Sequence, residues 1–347
     1  YQSRGYLNNS GIMDWSAGVT YGKGITYFYD VRTGEASTIS ATKSGYYFTT
    51  VTDAVSAAGE VNHYILIGTK GGVGGYSTAI QRFADLSPIK GICYQPSPHN
   101  YKGGNQGDIY YDADFCNDDF SKLWGSSGRD DIRKFAEAGV NFIHIYDMNQ
   151  PGSGRHHTNF MNYCKENGIY VGYSVSAYYV TNLNNPDVNT WFANFMSEVY
   201  PNKTRHPAVV IWTIGNEYDL GAMGQTADLI AKTAAKIVQA EDNAGIPESE
   251  RIAMTSPISY AQRKGSGYSP AIEKIKELKE AFEKNGLSDL YQKRFITSVN
   301  TFNPGSELST YITTSFPSET KQFNNKEPLP FCLFEMGTAI GANGVTN

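Results

Sequence analysis

From residue 89 onward, short apolar runs recur along the chain at 89–94, 141–146, 170–175, 208–214, 251–255, 295–299 and 330–334. They lack the strict apolar/polar alternation of a half-exposed strand, so they predict parallel strands buried on both faces. Most are separated by helical patterns, at 130–138, 157–166, 188–199, 226–241 and 270–284. In the last of these, Ile272, Ile275, Leu278 and Phe282 share one face. Strand, loop and helix repeated over this length predict an α/β fold of the (β/α)8 TIM barrel type rather than an open doubly wound sheet. Seven strands are visible, and the 347 − 335 = 12 residues after Glu335 are too few for an eighth strand and helix. Before residue 88 the texture differs. Short β-rich runs at 25–29, 46–51 and 63–67 lie between Gly, Ser, Thr and Asn, which predicts an antiparallel accessory region over 1–87 and a barrel over 88–347. The cluster Gly71-Gly72-Val73-Gly74-Gly75 fits neither a dinucleotide fingerprint nor a P-loop, because no helix or Lys-Ser/Thr follows at the needed spacing.

Composition narrows the function classes. A net charge of −5 gives no general affinity for polyanions, so nucleic acid is not expected as a partner. No apolar run reaches the ~18 residues of a membrane span. The 25 Tyr supply flat rings with a polar tip, suited to sugar faces as well as to sheet packing. The four cysteines, Cys93, Cys116, Cys164 and Cys332, lack metal-ligand spacing, so neither a metal site nor any other cofactor is expected. Cys93 and Cys332 sit in strand-like runs and are expected as buried free thiols; Cys116 and Cys164 lie in loop-like or helical surroundings where a bridge is open to them. The acidic loop at 112–119 reads as a solvated helix lead rather than a calcium site. Asn8 and Asn202 head N-glycosylation triplets, which matter only in a secreted chain.

The chemistry lies at the strand ends. The fourth barrel run closes on Gly215-Asn216-Glu217-Tyr218, and the seventh on Phe334-Glu335-Met336. Strand ends open to solvent at one rim of a barrel, so Glu217 and Glu335 are expected to face each other there. Two facing carboxyls are the minimum equipment for cleaving a glycosidic bond, one protonating the leaving oxygen and the other attacking the anomeric carbon. Tyr94, Tyr146, Tyr178 and Tyr218, each near a strand end, are candidates for stacking on a sugar; Gln95, Asp147, Asn149 and Asn300 are candidate hydroxyl partners.

Several segments resemble one clan. Lys90-Gly91-Ile92-Cys93-Tyr94-Gln95, Ala113-Asp114-Phe115-Cys116, residues 138–146, Cys164 with Asn167-Gly168-Ile169-Tyr170-Val171, residues 185–191 and Gly215-Asn216-Glu217 are similar to the retaining (β/α)8 glycoside hydrolases with glutamates on strands four and seven. Among them the likeness runs to family 72, the β-1,3-glucanosyltransferases. The resemblance implies that Glu217 is the acid/base, that Asn216 binds the sugar 2-hydroxyl, and that Glu335 is the nucleophile. It also implies a Cys116–Cys164 disulfide, a secreted protein of the cell surface or wall, and a β-linked polysaccharide or oligosaccharide substrate. His144 stands where the clan usually has an Arg supporting the nucleophile, and Phe302 where it often has a Tyr. Two further readings stand beside this one. A galactosidase or mannanase type of the same clan often carries a β-sandwich before the barrel. A structural or carbohydrate-binding pseudo-hydrolase would assemble through an unpaired barrel or sheet edge.

Overall fold

The computed structural model describes five short strands within residues 6–70 and, continuously, residues 78–97, 114–220, 222–259, 271–301 and 311–336. Asn8, the 71–75 glycine cluster, Asp112, Ala113, Phe302 and everything after Met336 lie outside these residues. The chain divides into two compact units, Tyr1–Tyr76 and Ser77–Asn347.

In the first unit, β1 (Tyr6–Leu7) pairs antiparallel with β2 (Met13–Asp14). A second sheet has β5 (His63–Lys70) between β3 (Ile25–Phe28) and β4 (Tyr46–Asp53), again antiparallel. These are the three expected runs, each paired along most of its length.

The second unit is a barrel of parallel strands. β6 (Gly91–Cys93), β7 (Phe142–His144), β8 (Tyr170–Val175), β9 (Val209–Ile214) and β10 (Ala253–Thr255) form five neighbours in chain order. β11 (Pro257–Ser259), β12 (Thr297–Thr301) and β13 (Phe331–Met336) continue it. β10 and β11 are one strand broken at Ser256. Its first half pairs with β9, while Ile296 N donates to Met254 O (2.8 Å) and the Thr255 hydroxyl to Ile296 O (2.7 Å), carrying the ladder across to β12. The five principal helices are α3 (Asp131–Glu137), α4 (Thr158–Glu166), α6 (Val188–Val199), α7 (Ala227–Ala244) and α8 (Ala271–Lys284), with the short α2 (Ser121–Trp124) ahead of α3 and α5 (Ala177–Thr181) ahead of α6. Each of the five overlaps a predicted helix. Thr226 caps α7 by accepting from Leu229 N, and Gly245 ends it in the left-handed region at φ 65°.

Residues 78–86, grouped by sequence with the accessory region, belong instead to the barrel. Helix α1 (Thr78–Ala84) sends Ile80 and Phe83 against Phe142, Ile211, Ala253, Ile296 and Phe334, forming a separate apolar cluster beneath the strands. An amphipathic helix of this length needs an apolar surface to cover, and the barrel floor supplies it.

Two buried ionic groups tie the outer helices together. Arg294, on the helix Ser288–Arg294, meets Glu241 of α7 through two contacts of 2.5 and 2.8 Å and also donates to Ile252 O; Tyr200 OH donates to Glu241 Oε1 (2.6 Å). On the opposite rim, His157 at the start of α4 lies between Asp114 (2.9 Å) and Glu198 of α6 (3.0 Å), and Tyr173 OH donates to Glu198 (2.6 Å).

Candidate active site

The ends of β9, β12 and β13 meet at one rim, where Asn300 touches Asn216 and Glu217 and pairs in register with Glu335. β9 ends at Ile214, and the chain turns through Gly215 (φ 59°) and Glu217 (φ 48°), both in the left-handed region. A side chain at Gly215 would drive its Cβ to within 2.0 Å of Gln225 Oε1, so the turn needs glycine for space as well as for backbone angle. Glu217 holds a conformation that is uncommon outside glycine, and its N–H is anchored on Pro257 O (2.8 Å) at the start of β11. Gln225 is the residue that sequence reading missed. Its Oε1 accepts from Asn216 N (3.2 Å) and its Nε2 donates to Asn216 O (3.0 Å), clamping both backbone groups of the turn. A lone glutamine nine residues past the motif carries no pattern that would have marked it.

Asn300, near the end of β12, reaches across to this turn. Its Nδ2 donates to Asn216 Oδ1 (3.0 Å) and to Glu217 Oε1 (3.2 Å). Burial first, then the negative charges of Glu335 and Asp219, raise the Glu217 carboxyl above its ordinary value; the Asn300 hydrogen bond works in the other direction.

Glu335 is the register partner of Asn300 on the neighbouring strand. The ladder slips between Val299 and Asn300, where Phe334 is the extra residue on β13. Successive strand residues normally point to opposite faces, yet the Phe334 ring lies 4.8 Å from the His144 ring while Glu335 Oε1 lies 3.6 Å from His144 Nε2. The bulge is what brings both to the same imidazole. The 3.6 Å separation is longer than a hydrogen bond, and both buried ring nitrogens of His144 lack a hydrogen-bond partner among the described residues. His144 therefore flanks Glu335 without gripping it. Tyr146, its ring 4.6 Å from that of His144 and tilted by 55° to it, has its hydroxyl toward Cys93 and Glu335. Burial first, then those two neighbours, keep that hydroxyl protonated and able to donate.

The remaining candidates are corrected by where they point. Tyr94 is buried with its OH on Asp131 Oδ2 (3.0 Å) and its ring edge-on to Phe135, facing helix α3. Tyr218 is buried with its OH on Lys274 O (2.6 Å), facing α8. Neither offers a face to a sugar. Tyr178 is exposed on the short helix Ala177–Thr181, its ring packed against Tyr179 and Trp191. Gln95 Oε1 accepts from Tyr146 N (3.4 Å), and Asn149 is held by Asp114 and Tyr179, so both serve loop structure; Asp147 is buried beside them. All four cysteines are free thiols. Cys116 and Cys164, paired by the resemblance, are both fully buried in one core cluster without a bond between them. Cys93, expected buried, is exposed, and Cys332 is half-buried. Asn202 is exposed at a left-handed turn. Among the described residues no group of His, Cys, Asp and Glu could hold a metal, and no helix is long and apolar enough to cross a membrane.

Residues 153–308 match the model of the family 2 glycosyl hydrolase TIM barrel domain. The fold is a TIM barrel. No curated protein matches the chain in sequence. Similar solved structures include a β-glucuronidase of Parabacteroides merdae with glycerol in its active site, 15% identical over 60% of this chain and 28% of that one, TM-score 0.28. A family 2 β-galacturonidase of Eisenbergiella tayi bound to galacturonate is 14% identical over 60% and 39%, TM-score 0.31. A family 128 endo-β-1,3-glucanase of Sorangium cellulosum is 12% identical over 62% and 89%, TM-score 0.31. The chain spans well under half the length of the first two.

Proposed function

We propose that the chain is a retaining glycoside hydrolase or transglycosylase acting on a β-linked polysaccharide, with β-glucan the favoured substrate. The observation carrying this reading is the unequal pair of carboxyls at one barrel rim. Glu217, raised by burial and by Glu335, is suited to hold a proton; Glu335, beside the Tyr146 hydroxyl and His144, is suited to act as the nucleophile. Glu217 gives its proton to the leaving oxygen while a Glu335 oxygen bonds to the anomeric carbon, forming a glycosyl ester and releasing the aglycone. Glu217, now ionised, takes a proton from water or a sugar hydroxyl, whose oxygen attacks the same carbon and frees Glu335. The acceptor alone separates hydrolysis from transglycosylation. Asn216, with its side-chain oxygen engaged by Asn300, has its amide nitrogen for the sugar 2-hydroxyl. The exposed Asn202 triplet accords with a secreted chain.

Substitution tests the roles. Glu335→Gln is expected to abolish turnover of every β-glycoside. Glu217→Gln is expected to lose about 10²–10⁴-fold on substrates whose leaving group needs a proton and far less on activated aryl glycosides. Proton NMR of the first-formed product is expected to show a retained anomeric configuration. Equal losses on both substrate kinds, or an inverted product, would overturn the assignment. A second reading, assembly through an open edge, is favoured by β6, where Gly91, Ile92 and Cys93 are all exposed. Concentration-dependent oligomers in light scattering, without turnover, would favour it.

A further inference from the structure

Asn300 makes two hydrogen bonds and leaves one polar atom unused. Its Nδ2 donates to Glu217 Oε1 and to Asn216 Oδ1, while its Oδ1 is buried without a hydrogen-bond partner among the described residues. The residue is 2% exposed. Both neighbours are oxygens, so the amide orientation follows from them: turned over, its oxygen would face a carboxyl oxygen and an amide oxygen at once. Its backbone sits opposite Glu335 on the next strand, so its position relative to both carboxyls is set by the sheet and not by a loop.

The consequence concerns the two oxygens of Glu217. A carboxylic acid has one oxygen that carries the proton and one that only accepts. A donor fixed on Oε1 makes Oε1 the accepting oxygen in either protonation state. Resting on the reading of Glu217 as acid/base, we propose that Asn300 is a positioning residue that confines the transferable proton of Glu217 to Oε2 and holds Asn216 in register with it. The same N–H is the donor that steadies the carboxylate after the proton has left, which is the state that must recapture a proton in the second half of the reaction. The charged groups facing Glu217 are Glu335 from β13 and Asp219 from the turn after β9, both acidic. Among the described residues no cation pairs with Glu217, so Asn300 is the hydrogen-bonding side chain that offsets them.

The test uses N300D, which keeps the shape and replaces the donor by an acceptor, and N300L, which keeps the bulk and removes the donor without adding charge. In both variants the alkaline limb of the kcat/KM profile is expected to move to higher pH, further in N300D because the added carboxylate repels the ionised form of Glu217. In N300D the proton is drawn to the oxygen facing the new carboxylate. The ratio of turnover on poor to activated leaving groups is therefore expected to fall at least tenfold below that of the unsubstituted chain. Unmoved limbs, or equal losses on both leaving groups, would overturn the proposal. A chain without glycosidase activity is recognised separately, by no turnover in the unsubstituted protein on any aryl β-glycoside. The inference is then decided by the carboxyl carbon-13 titration of Glu217, assigned by its loss in Glu217→Gln. A higher midpoint in N300L supports the hydrogen-bond role, and an unchanged midpoint overturns it. Thermal unfolding of both variants reports whether the barrel is intact.

Discussion

The turn that carries Glu217 depends on a neighbouring side chain, Gln225. Gln225 satisfies the N–H and the C=O of Asn216, so Gln225→Ala would leave two backbone groups without their protein partners. A buried polar group deprived of its partner costs about 1–3 kcal/mol. Gln225→Ala is therefore expected to lower stability in urea by an amount of that order and to reduce kcat more than KM, because the turn carrying Glu217 loses its clamp. Unchanged kcat with lowered stability would assign Gln225 a structural role alone. The aromatic residues illustrate the same dependence. Tyr94 and Tyr146 both lie at strand ends and are chemically identical, yet one hydrogen-bonds Asp131 beneath a helix and the other reaches Glu335.

At the scale of elements, His157 joins the segment at Asp114, helix α4 and helix α6 through a buried carboxyl, imidazole, carboxyl arrangement. Burial alone would lower the His157 pKa, but hydrogen bonds and charge from Asp114 and Glu198 outweigh it and push the pKa up to about 10 from 6.5. Glu198 is lowered: burial opposes, but the His157 hydrogen bond and charge prevail. A raised histidine holds its proton more tightly folded than unfolded. Its contribution to stability is full below about pH 6.5 and is lost as pH rises toward about 10; that of Glu198 is present above its unfolded value of 4.5 and is lost as pH falls through its lower folded value. His157→Gln leaves two buried carboxyls uncompensated and is expected to cost about 3–5 kcal/mol near neutrality. It should also flatten the decline in unfolding free energy between pH 6.5 and 10, measured by urea titration at several pH values. A decline of the same slope in the variant would show that His157 is not its source.

For the whole molecule, packing sets the order in which the four thiols react. Cys116 and Cys164 are fully buried, and burial raises both thiols well above the ordinary value. Reaction with an aromatic disulfide reagent is expected to modify them only at the rate of global unfolding, and four thiols should be titratable in denaturant without reductant. Cys93 is exposed as a residue while its sulfur turns toward Tyr146. Burial of the sulfur first, then Glu335, pushes the thiol up to about 11 against the Tyr146 hydrogen bond, so its modification should accelerate roughly tenfold per pH unit below that value. Two titratable thiols in denaturant would instead show one disulfide, which non-reducing peptide mapping would assign to its two cysteines.

The local pattern of apolar runs and helical stripes was sufficient by itself for the order of the barrel strands and of the five principal helices, because the side of an element that a residue faces is a local property of the chain; the helices Thr78–Ala84, Ala177–Thr181 and Ser288–Arg294 were not legible in it. It was also sufficient to put Asn216, Glu217 and Glu335 at strand ends, since a run that stops being apolar marks where a strand leaves the core. Contacts between distant elements were not legible in this way. Asn300 meets Glu217 from 83 positions away, Gln225 folds back on Asn216, and Phe334 and Glu335 share one face only because β13 carries a bulge. The burial of Tyr94 and Tyr218 beneath helices, the docking of α1 on the barrel floor and the His157 group likewise arise from closure of loops and packing of helices on the sheet. Local pattern carries the direction of a side chain relative to its own backbone; only the folded barrel decides what stands in front of it.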